Sequence, residues 1–148
     1  IADIAAAAEG NYLLASEFVN QSEQQKQFAQ LFVDWMRKLF KLDIYNLSKT
    51  VDTLGDMGLE QQKQFLNYAL DVFRACFLKN ITGKQSAYTL SFNDQKFSDS
   101  FPKMITVNNI DKIENAINDS LFNISRNAYD KIIFMTLSFA ISKSLKNR

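Results

Sequence analysis

Chemistry in this chain has few places to start. It has no histidine, so imidazole acid–base catalysis, histidine-bearing triads and histidine-bearing metal sites are excluded. Its single cysteine, Cys76, rules out an internal disulfide and a multi-thiolate metal site, and suits a reducing compartment such as the cytoplasm. Cys76 also falls within an apolar helical stripe, which favours a buried, inert thiol over a nucleophile. The Gly83-Lys84 pair lacks the upstream glycine of a phosphate-binding loop, so no nucleotide site and no cofactor are expected. The carboxylates fall on polar helix faces, as Asp111, Glu114 and Asp119 do, and Asp34 with Lys38 has the spacing of a solvated helical pair. Two basic groups remain: Arg37, Lys38 and Lys41, then Lys143, Lys146 and Arg148. Each sits where cations complement the negative end of a helix, with phosphate contact as the alternative. With Lys plus Arg at 17 and Asp plus Glu at 16, the net charge of +1 exerts no strong pull on nucleic acid or anionic lipid.

The elements that would hold these residues are helices. At 148 residues, 47% hydrophobic and 22% charged, the chain is long enough for a full core, and no alternating run is long enough for a strand. The spacing predicts an all-α bundle of about six to seven helices. Ile110, Ile113, Ile117, Leu121 and Ile124 line one face of a helix. A broader stripe follows, with Ile132, Ile133, Thr136, Leu137, Ala140 and Ile141 widened by Phe134 and Phe139, and it marks the central helix. Between them Asn127 is suited to cap, and Asp130 puts a carboxylate at the positive end of the second helix.

Upstream, Phe28, Leu31, Phe32, Trp35, Met36, Leu39 and Phe40 share a stripe that follows Ser22-Glu23-Gln24-Gln25, a capping-box pattern. Asp43 is placed to cap a short helix with Ile44, Leu47, Val51 and Leu54 inward, ended by Gly55. From Leu59 to Leu78 a long stripe takes in Phe65, Leu66, Ala69, Val72, Phe73, Cys76 and Phe77. The 82–86 stretch reads as a polar surface loop, and Phe97 and Phe101 as neighbours on a short helix that Pro102 disrupts. Gly10-Asn11 turns the chain between two helices near the start. No apolar run approaches the roughly 20 residues of a membrane span. The opening at Ile1 has no helix-start signal of its own, and we expect a longer protein to precede it.

A family resemblance is carried by particular residues. The run Phe122-Asn123-Ile124-Ser125-Arg126-Asn127-Ala128-Tyr129-Asp130-Lys131-Ile132-Ile133-Phe134, with Leu137-Ser138, resembles the closing signature of the delta-prime subunits of bacterial DNA polymerase III clamp loaders. Members often carry proline where this chain has Asp130. Trp35-Met36-Arg37 and the run Gln61 to Leu70 resemble the same family in the same order, and Ala8 to Ala15 resembles the end of its small helical lid. The resemblance implies that residues 1–20 are the tail of an AAA+ lid domain and 21–148 a non-catalytic, all-α collar domain, with the boundary near Asn20. It implies a role in assembling a five-subunit ring that loads the sliding clamp during DNA replication. The partners would be the gamma or tau and delta subunits, and the clamp and primer-template DNA would be met only through the whole complex, as would any polymerase activity.

Within that resemblance Arg126, Asn127 and Lys131 crowd the hairpin turn and are the candidate subunit-interface residues. A turn needs a cap, which explains Asn127, but not two cations. Arg126 is suited either to satisfy carbonyls at its own helix end or, with Lys131, to pair with acidic groups of a neighbouring subunit. The competing reading from a different class is a helical adaptor unrelated to replication.

Overall fold

A computed structural model of the chain describes residues 12–83, 94–126 and 129–146, with side chains from Glu23 onward. Its elements are α1 (Tyr12–Lys41), α2 (Ile44–Gly55), α3 (Leu59–Thr82), α4 (Gln95–Ser100), a 3-10 turn (Phe101–Met104), α5 (Ile110–Ile124) and α6 (Asp130–Lys146). The fold is all α, and there is no strand among the described residues.

Helix α6 is central, packing on α5, α2 and α1, while α3 packs on α5, α1 and the 3-10 turn. Phe32, Trp35, Phe65, Phe73 and Phe134 are fully buried between these helices. Phe32 meets Phe73 at 5.4 Å and Phe101 at 5.6 Å between ring centroids, both edge-on, the arrangement that the charge distribution of aromatic rings favours. The expected stripe of α3 is inward, with Phe73 and Cys76 completely buried. Phe97 and Phe101 stack at 4.7 Å, and Pro102 stands at the start of the 3-10 turn, where its missing N–H leaves no helical bond unmade.

Polar side chains join the layers. The indole N–H of Trp35 donates to Ser138 Oγ at 2.8 Å, and Ser138 donates onward to the Phe134 carbonyl at 2.7 Å. Asn109 is wholly buried: its Oδ1 accepts from the Thr106 N–H at 2.9 Å, and its Nδ2 donates to the carbonyls of Met104 at 2.8 Å and Ser144 at 3.2 Å. Asn80 donates to the carbonyls of Pro102 and Ile105. Arg37 pairs with Asp94, which also caps α4 by accepting the Phe97 N–H at 3.0 Å.

Several sequence-based expectations need correction. No helix starts at Ser22: α1 runs unbroken from Tyr12 to Lys41, through the polar residues around that position. Glutamine, glutamate and lysine are good helix formers, so a stretch without apolar residues is a solvated part of the helix. Gly10-Asn11 and most of the polar loop lie outside the described residues. Helix α2 ends at Gly55 with a right-handed Asp56 after it, so the glycine is not there for a positive φ. Instead, a Cβ on Gly55 would stand 2.7 Å from Cγ of Lys131, whose stem crosses that position. In α6 the stripe is rotated. Ile133, Phe134, Leu137 and Ile141 are buried together with Ser138, Ser142 and Ser144, whereas Ile132, Thr136 and Phe139 face outward. Ile44 and Phe40 are likewise exposed. Lys38 donates to Thr50 Oγ1 at 3.0 Å, a contact between helices that its spacing from Asp34 did not suggest.

Candidate functional site

The candidate site is the closed end of the α5–α6 hairpin. Helix α5 stops because its last turn tightens: the Ser125 hydroxyl donates to the Leu121 carbonyl at 2.9 Å, and the Arg126 N–H to the Asn123 carbonyl at 3.1 Å. Asn127 lies outside the described residues. Helix α6 starts at Asp130, as the sequence suggested, and the Tyr129 carbonyl accepts the N–H of Ile133 at 3.0 Å.

The two cations of this turn are placed differently. Arg126 is exposed, with its guanidinium 5.0 Å from the centre of the Phe122 ring. Lys131 turns back onto the fold, with Nζ 3.4 Å from Asp52 Oδ1 and 3.7 Å from Asp56 Oδ1. The charge of Asp52, then that of Asp56, raises its pKa above the ordinary lysine value. Lys131 thus already has two acidic partners within the chain, whereas Arg126 lies over an aromatic ring.

Two further features of this end were not singled out from sequence. Gln62, buried at the start of α3, donates to the carbonyls of Leu54 at 3.1 Å and Gly55 at 3.3 Å and to Asp130 Oδ2 at 3.2 Å, tying α2, α3 and α6 together. Nothing local marks this glutamine among its neighbours; its partners are far along the chain. The second feature is exposed apolar surface. Phe122 is 60%, Tyr129 75% and Ile132 63% exposed, all within the last turn of α5, the connection and the first turn of α6. Phe139 continues the outer face of α6 two turns on and is 43% exposed.

Of the other candidates for chemistry, Cys76 is buried in the core. Burial pushes the Cys76 thiol up to about 12, so it is protonated at neutral pH and no nucleophile. Among the described residues there is no group of three or more metal-ligating acidic or thiol side chains, and no helix is long and apolar enough to cross a membrane. No protein-family model matches the chain, and comparisons with curated proteins and with solved structures likewise found no match.

Proposed function

We propose that this chain is a protein-assembly module: the collar domain of a clamp-loader delta-prime subunit, working in the bacterial cytoplasm without catalytic activity or cofactor of its own. The observation that carries this reading is the closed end of the α5–α6 hairpin, where Phe122, Tyr129 and Ile132 stand exposed beside Arg126. Folding gains nothing from leaving large apolar side chains in water at one end of a hairpin, whereas an interface core is enriched in aromatic residues and arginine. The same residues lie in the segment where the resemblance to delta-prime subunits is densest.

The mechanism is then mechanical. The bundle supplies a rigid platform, Gln62 and the Lys131 ion pairs fix the hairpin end against α2 and α3, and the exposed side chains dock on the neighbouring subunit. Arg126, laid over Phe122, brings a positive charge to the same surface for an acidic group on the partner. Lys131 serves by holding the hairpin end in place. Size-exclusion chromatography of the chain with purified gamma and delta clamp-loader subunits tests the proposal. Co-elution that is lost on Phe122→Ser with Ile132→Ser is expected. Separate elution of the parent chain would instead favour an adaptor unrelated to replication.

A further inference from the structure

A second surface lies at the other end of the bundle, about 21 Å along α6 from Lys131 at the helical rise per residue. Here α1, α4, the 3-10 turn and the end of α6 enclose a groove of about 550 Å³, within the range of ligand-binding clefts. Its floor is apolar, built from Met36, Phe97, Phe101 and Leu145, with Phe40 partly exposed at the edge. Its walls carry Arg37 and Lys41 on α1 and Lys96 on α4, and the lining contains no carboxylate. The groove also brings together the ends of the two helices that bear the basic groups seen in the sequence, since Lys41 and Leu145 both line it and Lys143 and Lys146 occupy the last turn of α6.

Helix-end electrostatics accounts for lysines on α1 and α6, because each cation offsets the partial negative charge of its own last carbonyls. It does not account for Lys96, which lies in the first turn of α4, the end where a cation is unfavourable. Two carboxylates lie close by: Asp94 pairs with Arg37, and Asp43 is near Lys38 and Lys41. Even with these and Asp99, one turn from Lys96 on α4, set against Arg37, Lys38, Lys41 and Lys96, the groove keeps a net positive charge.

We infer that this groove docks an acidic segment of a partner protein, one large apolar side chain on the floor and carboxylates reaching the cations on both walls. The lining cations come from two helices, Arg37 and Lys41 from α1 and Lys96 from α4, with no carboxylate among the lining residues, which suits a chain carrying several charges rather than an amphiphile with a single headgroup. The inference is independent of the clamp-loader reading, since it involves the opposite end of the bundle.

The test is fluorescence anisotropy of the full chain with a labelled synthetic peptide, Asp-Glu-Leu-Phe-Asp-Glu. Saturable binding is expected, weakened by about tenfold or more in Lys41→Glu with Lys96→Glu, where like charges would then face each other. It should weaken also in Phe40→Ser and for a peptide with Ser-Ser in place of Leu-Phe, and remain at the parental value in Lys112→Glu, an exposed charge reversal on α5. No saturable binding overturns the inference. Equal binding by the Lys41→Glu, Lys96→Glu variant or by the Ser-Ser peptide also overturns it, as it would mean unspecific charge attraction or a site elsewhere. If sodium laurate below its micelle threshold binds in a way these reversals abolish while the peptide does not bind, the groove holds a small amphiphile and the inference falls.

Discussion

Two phenylalanines on neighbouring helices mark the contrast between the centre of the bundle and the closed end of its hairpin. Phe73, midway along α3, is fully buried against Phe32 and Phe101, whereas Phe122, in the last turn of α5, is 60% exposed with an arginine laid over it. Helix α5 already buries its isoleucine face, so Phe122 on the opposite side adds nothing to that core. Helix α6 repeats the pattern, burying Phe134 and exposing Phe139. Apolar content alone thus says little about whether a side chain serves folding or contact. What separates the two roles is the direction in which the helix presents it.

The largest expected effect sharpens that contrast directly. Phe73→Ala should cost about 3–5 kcal/mol, the usual range for a truncated buried phenylalanine, and Phe122→Ala should stay within about 0.5 kcal/mol of the parent. Guanidinium unfolding midpoints at constant slope measure both, and equal shifts would erase the distinction.

Next in size is the polar staple at the groove end. Asn109→Ala leaves the Thr106 N–H and the carbonyls of Met104 and Ser144 without this partner, and should cost about 1–3 kcal/mol. A loss below that range would mean that water or a backbone shift replaces the amide.

A smaller change of opposite sign is expected where α1 ends. Leu42 has φ of 53°, and the N–H groups of Leu42 and Asp43 bond back to the carbonyls of Leu39 and Lys38, each at 3.2 Å. This is the helix-ending motif that favours glycine. Leu42→Gly should raise stability by up to about 1 kcal/mol, and a lower midpoint would indicate that the leucine, although exposed, packs more than it strains.

The smallest effect is at the hairpin end and depends on pH. The pKa of Lys131 is raised in the folded chain by Asp52 and Asp56, so its pairing contributes in full below the ordinary lysine value of about 10.4 and is lost as pH climbs through the raised folded value. The parent should lose slightly more stability than Lys131→Met across that alkaline range. Parallel curves would mean that the pairs contribute nothing.

The parts of this structure that were legible in sequence are those fixed by neighbours along the chain. The Asp43 cap is there, accepting the Asn46 N–H at 3.3 Å, as are the isoleucine face of α5 and the start of α6 at Asp130. Where a helix is apolar on more than one side, periodicity leaves its rotation open, and α6 turned Ile132 and Phe139 outward with Ser138 and Ser142 inside. The role of Ser138 depends on Trp35, far away in sequence. Gly55 was legible as the end of α2 but not as the passage for the stem of Lys131, because that depends on packing. At the candidate site the sequence drew attention to the turn through its two cations. The apolar side chains around them became visible only once the helices were oriented, and Lys131 proved to be held by this chain's own carboxylates.

The most direct measurement of the central claim is a paired one on Phe122→Ser with Ile132→Ser: its unfolding midpoint, and its elution with the gamma and delta clamp-loader subunits. An assembly surface predicts that the midpoint stays near the parental value while co-elution is lost. Parental co-elution by a folded double variant would contradict the claim, leaving the hairpin end as exposed surface with no part in assembly.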